Sequence, residues 1–353
     1  MNRRIIILIT IIIITAILIL IWVLSPPLVQ EHQFDIISRE EINIGKRNSI
    51  NILKYTGEQT LSCFLSNHQI IIYDIKGREN ISKLFVEDVL LLEFTNDPQF
   101  FLGVRDKIIA DDGYGNNVVY LEGIGIWNAV SGILEECLRG DCETSSPTDL
   151  IYTGATINYD INWVIIYAEF GWSTVDPFGN KPTTITTIAE DRDALVQSIT
   201  MSPSSNQYVV GYTDGSLERE SINFRRWSIS RILYPPENQS PARIILQKFS
   251  PNEKYIVVVY DTFVSLWELD WLKRSHTLIN FSSIQFAEFD KDSENLFLVS
   301  IDDELIVWNI KTGNEVSRFD VPNISAIAMS SDSDTIYWGD EAGVLHIWDY
   351  SNP

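Results

Sequence analysis

The closest pair of reactive side chains is Cys137 and Cys142, five positions apart in Glu135-Glu136-Cys137-Leu138-Arg139-Gly140-Asp141-Cys142. In an oxidising compartment a disulfide would close that small polar loop. A metal site would need two more ligands, and none lies nearby in sequence. Cys63 sits in the apolar run Leu61–Leu65 and reads as a small buried hydrophobe. The four histidines, His32, His68, His276 and His346, are scattered. His346, two residues before Trp348, is expected to be structural. His276, beside Lys273 and Arg274, reads as part of a solvated basic turn. Asp290-Lys291-Asp292 lacks the central glycine and terminal glutamate of a calcium loop. Gly123-Ile124-Gly125 lacks the third glycine of a dinucleotide fingerprint. The chain contains no G-x-S-x-G elbow, P-loop or H-E-x-x-H pair. No cofactor, metal or catalytic residue is therefore named, although a Ser–His–Asp triad need not be contiguous.

What must position any site is a chain of 353 residues, 45% hydrophobic and 11% aromatic, enough for a large core. The formal charge of −22, from 26 basic and 48 acidic side chains, argues against nucleic-acid binding. The length suits one large repeat domain or two ordinary ones.

Ile5 to Leu24 is apolar apart from Thr10 and Thr15. A helix of that length spans about 30 Å, the hydrocarbon thickness of a bilayer. Arg3 and Arg4 precede it and Glu31, Asp35, Glu40 and Glu41 follow, so the expected topology has a cytoplasmic N-terminus and an extracytoplasmic remainder. The run is longer than a signal-peptide core and ends in Ser25-Pro26-Pro27 without an A-x-A site, favouring an uncleaved anchor over a cleaved, secreted form. The expected organisation is a stub at 1–4, a transmembrane helix at 5–24, a linker at 25–32 and one domain at 33–353. Membrane contact is expected through that helix alone.

The domain is repetitive. Ile306-Val307-Trp308-Asn309 and His346-Ile347-Trp348-Asp349 place tryptophans 40 residues apart, and Trp267 lies 41 before Trp308. Ile126-Trp127-Asn128 and Ile72-Tyr73-Asp74 are further copies, Thr174-Val175-Asp176 a weaker one. Turn-formers precede the copies: Ser202-Pro203, Ser250-Pro251-Asn252, Asp290-Lys291-Asp292-Ser293 and Ser330-Ser331-Asp332. The stretches between are β-branched and aromatic. Units of 40–45 residues with four strands each describe a propeller blade.

The Trp-Asp dipeptides, Ser-Pro turns and period make the chain resemble the WD-repeat propeller family over nearly all of 32–350, most strongly over 243–350. No repeat carries the family's Gly-His dipeptide. The expected fold is all-β, a seven-bladed propeller of four-stranded blades at 48–85, 89–138, 148–188, 195–233, 243–280, 284–319 and 324–350, preceded by one transmembrane helix. Glu220 stands where the fourth blade would carry its tryptophan. The last blade runs out of chain before an outer strand, and Gln33–Ile44 is a spare strand. Closure by such an exchange is what the resemblance implies.

The resemblance also implies recognition of a protein partner through one face of the disc. Repeat alignment puts Asp111, Asp112 and Tyr114, in an insertion at Lys107–Glu122, into turns equivalent to those of Asp214, Asp302, Asp303, Asp340 and Glu341. Such a rim favours a basic partner. The expected function is a non-enzymatic extracytoplasmic binding or scaffolding module. The alternative is a propeller hydrolase or lyase acting on sugars or peptides in the central channel.

Overall fold

The computed structural model describes residues 34–351 outside 57–58, 87–88, 96, 112–116, 140–153, 158–162, 169–170, 176–184, 189–193, 205, 222–230, 234–242, 270–272, 279–283 and 333. The expected stub, membrane helix and linker fall outside these residues. Among the described residues no helix is long and apolar enough to cross a membrane.

β1 (Asp35–Asn43) comes first, followed by successive groups of antiparallel strands. β2 (Ile50–Tyr55), β3 (Thr60–Leu65), β4 (Gln69–Asp74) and β5 (Glu79–Phe85) form one sheet. The next comprises β6 (Leu90–Phe94), β7 (Phe100–Asp111), β8 (Asn117–Asn128) and β9 (Leu134–Arg139). It is followed by β10 (Gly154–Ile157), β11 (Val164–Ala168), β12 (Gly171–Val175) and β13 (Ile185–Ile188). Then come β14 (Val196–Met201), β15 (Gln207–Tyr212), β16 (Leu217–Ser221) and β17 (Arg231–Leu233). β18 (Ile244–Phe249), β19 (Tyr255–Tyr260), β20 (Val264–Glu268) and β21 (Lys273–Leu278) make another sheet. β22 (Ile284–Phe289), β23 (Asn295–Ser300), β24 (Glu304–Asn309) and β25 (Asn314–Asp320) make the one after it. The last sheet has the order β1-β28-β27-β26, from β26 (Ile324–Met329), β27 (Thr335–Asp340) and β28 (Val344–Ser351). Seven four-stranded sheets thus succeed one another.

Each sheet packs face to face on the next. Phe64 and Ile70 of the first meet Phe94, Phe101 and Trp127 of the second. The same holds through to the last interface, where Ala326, Tyr337 and Leu345 pack on Ile50, Leu61 and Ile71 of the first sheet, closing the ring. This packing explains the strand compositions. β3 and β23 are buried at every position, whereas the outer strands β5 and β25 bury none fully. A middle strand has neighbours on both faces, so it is apolar throughout rather than alternating.

The repeat tryptophans share one register. Trp127, Trp267, Trp308 and Trp348 pair with Phe101, Ile256, Leu296 and Ile336, the second residue of the neighbouring strand. Glu220 opposite Tyr208 and Tyr73 opposite Leu61 occupy the same position. His276 lies in β21 opposite Leu266, not in a turn as expected, because the outer strand takes up Ser275 as a bulge between His276 and Arg274 and continues past it.

β1 lies antiparallel on β28, with Asp35 opposite Ser351 and Asn43 opposite Val344. Phe34, just before it, is 2% exposed and stacks on Tyr350 at 4.9 Å, with Phe297 at 5.7 Å. Arg39 covers the Trp348 ring at 4.5 Å. The opposite end is held by Gly45 N–H donating to Gly343 O at 2.8 Å. Where last and first sheets meet, a Cβ on Gly339 would stand 2.5 Å from the Ile50 Cβ, so the close approach requires glycine.

Candidate functional site

Backbone hydrogen bonds divide the turns into two faces. Turns between second and third strands are tied to the connections entering or leaving the sheets. Thr213 N–H donates to Leu195 O, Asp261 N–H to Arg243 O, Val321 N–H to Asp303 O and Glu341 N–H to Asn323 O. We call this the connector face. Turns between first and second strands are tied instead to the ends of third strands. Ala129 N–H donates to Gln99 O, Leu269 N–H to Lys254 O, Ile310 N–H to Glu294 O and Tyr350 N–H to Asp334 O. This is the hairpin face.

The acidic residues singled out in sequence belong to the connector face, but several are occupied by their own turns. Asp214 Oδ1 accepts from Ser216 N–H at 2.9 Å and from the Ser216 hydroxyl at 2.6 Å. Asp303, at φ 62°, accepts from Asn323 N–H at 3.0 Å. Asp340 accepts from Val344 N–H at 2.8 Å and lies 3.2 Å from His346 Nε2. Their carboxylates shape the turns, as Asx turns do. Asp302 and Glu341 are exposed. The insertion is a continuation of the β7–β8 ladder, from Asp106 opposite Glu122 to Asp111 opposite Asn117. As a hairpin between second and third strands, it stands on the connector face. Asp112 and Tyr114 lie outside the described residues.

His346 is structural in setting. Its ring stacks on Trp338 at 3.5 Å, between Asp340 and, at 3.5 Å, Glu41. Cys137 is in a disulfide, Cys63 is a buried thiol whose pKa burial pushes up, and Cys142 lies outside the described residues. Asp290 is wholly buried, accepting from Glu294 N–H, Asn295 N–H and the Asn295 amide; burial still pushes its carboxyl pKa up. Among the described residues no group of three or more His, Cys, Asp or Glu could hold a metal.

The central channel holds charges that sequence reasoning did not single out. A cavity of about 460 Å³, lined by the innermost strand of every sheet, opens among Thr56, Pro203, Pro251, Lys291 and Ser330 on the hairpin face. Each innermost strand contributes one residue to a layer: Lys54, Glu93, Thr156, Thr200, Lys248, Glu288 and Ala328. Lys54 donates to Phe94 O at 2.7 Å and lies 4.0 Å from Glu93. Glu93 accepts from the Thr156 hydroxyl at 3.1 Å and Ile157 N–H at 3.3 Å. Lys248 pairs with Glu288. All these contacts cross from one sheet to the next, so the charges stitch the ring. Burial lowers the Lys54 pKa, opposed by Glu93. The signal was present in the repeats: a charge directly before the last aromatic of the strand, in Lys54-Tyr55, Glu93-Phe94, Lys248-Phe249 and Glu288-Phe289.

Ring closure, blade packing and a channel lined by innermost strands define a β-propeller. Comparison with known proteins agrees at the level of fold. The chain is similar to the β-propeller domain of Cps50 (Swd1) from Myceliophteria thermophila, with a TM-score of 0.63 and 15% identity, over 90% of this chain and 100% of that one. No family model and no curated protein matches the chain.

Proposed function

We propose that the chain is a seven-bladed binding module, anchored by Ile5–Leu24 with the propeller extracytoplasmic, whose connector face engages a basic protein partner. The observation that carries this reading is the grouping on one face of the acidic second-to-third-strand turns and the extended β7–β8 hairpin. Loops that outgrow their repeat on a rigid scaffold are where binding concentrates. Solvent-facing carboxylates steer a cationic partner and raise its association rate. The channel favours this over hydrolase or lyase chemistry, because Glu93 and Glu288 are each held beside a lysine of the neighbouring blade.

The test uses a lysine-rich peptide as probe. Replacing Asp302 by Asn and Glu341 by Gln, with Asp111 and Asp112 both changed to Asn, leaves the turn-holding Asp214, Asp303 and Asp340 intact. The association rate should fall several-fold, and the wild-type rate should fall with added salt over a Debye length of about 8–10 Å. An unchanged rate in a folded variant refutes the assignment of the face.

A further inference from the structure

We infer that the hairpin face lies toward the lipid bilayer, so that the channel mouth opens onto lipid headgroups and the connector face points away. This rests on the membrane-anchor reading above and adds an orientation to it. The direction of β1 carries it. β28 runs from the Asp340–Gly343 turn on the connector face to Tyr350, whose N–H is bonded to Asp334 O on the hairpin face. β1 is antiparallel to it, with Asp35 opposite Ser351, so the chain enters the disc at the rim of the hairpin face. Phe34 is clamped there against Tyr350 and Phe297.

Ten chain steps separate Leu24 from Phe34, a reach of at most about 36 Å. Turning the connector face to the bilayer would send this tether back across the disc's depth. The eight residues of β28 alone cover about 27 Å. Little reach would remain. Charge is mixed on both faces: the connector face exposes Asp214, Asp261, Asp302 and Glu341 beside Lys46, Arg47 and Arg243, so the orientation rests on the strand direction and the tether length. On the hairpin face Lys76, Arg78, Lys254 and Lys311 are exposed, interleaved with turn acids such as Asp292 and Asp332.

The experiment places single fluorophores on the full chain through Lys311→Cys on the hairpin face or Glu341→Cys on the connector face; Cys63 is buried and will not label in the native state. Each protein is reconstituted into phosphatidylcholine vesicles carrying a headgroup acceptor, and co-flotation is measured beside energy transfer. Six strand residues put about 20 Å between the faces, so transfer from K311C should exceed that from E341C by about threefold. Co-flotation with equal transfer, or more from E341C, overturns the orientation while keeping the anchor. Protein that stays at the bottom of the gradient overturns the anchor, and the orientation with it.

Discussion

Replacing Phe34, the residue just before β1, by Ala should loosen ring closure more than any single change within β1. The side chain is 2% exposed and touches three aromatic neighbours: Tyr350 at 4.9 Å, Phe297 at 5.7 Å and Phe319 at 6.1 Å. Truncating a buried phenylalanine costs about 3–5 kcal/mol through lost transfer energy and the cavity left behind. Phe34 lies just before β1 at the rim of the disc, where its neighbours can partly close over the space left, so the lower end, about 3 kcal/mol, is expected. The control is Ile37→Ala in the adjoining strand β1. Ile37 is 68% exposed, and its truncation should stay within about 0.5 kcal/mol. Urea unfolding of the full chain in mild detergent, followed by tryptophan fluorescence, reads both. F34A should shift the midpoint strongly and I37A hardly at all. If F34A unfolds like the wild type, β1 is only a spacer and the clasp argument fails.

Gly339→Ala should cost about 1–3 kcal/mol by overpacking, since its Cβ would meet Ile50 at 2.5 Å where the ring closes; thermal unfolding checks this, and a wild-type melting temperature contradicts it. Asp332 is held below the usual carboxylate range by the hydroxyl of Ser330 and then by that of Tyr55, so its stabilisation is full above about pH 4 and lost as pH falls through the folded-state value. Tyr55→Phe should therefore cost about 1 kcal/mol at neutral pH, with the gap to wild type narrowing in acid; a gap independent of pH contradicts the assignment. Peptide mapping without reduction should recover Cys137 joined to Cys142 and Cys63 as a free thiol, and alkylation of all three in the unfolded, unreduced chain would refute the pairing.

The sequence by itself determined the all-β repeat architecture. Tryptophans at 308 and 348, with Ser-Pro and Asp-rich turns at a matching period, are local signals that each four-stranded unit must carry to bury its own strands. Even degenerate copies kept their place, as Glu220 does opposite Tyr208. The connector-face turns were legible for the same reason, because a repeat places equivalent turns on one face. Which carboxylates are occupied was not legible. Asp303 bonding Asn323 and Asp340 meeting His346 depend on turn geometry that residue types do not specify. The channel layer lay further still from view. Lys54 and Glu93, or Lys248 and Glu288, are about 40 residues apart in sequence and become neighbours only because successive blades pack around one axis. The clasp of Phe34 on Tyr350 joins the two ends of the domain, and the side from which the chain enters the disc follows from strand direction in the closed ring. Local pattern specifies a blade and a spare strand for its closure; long-range packing decides which side chains meet between blades and at the seam.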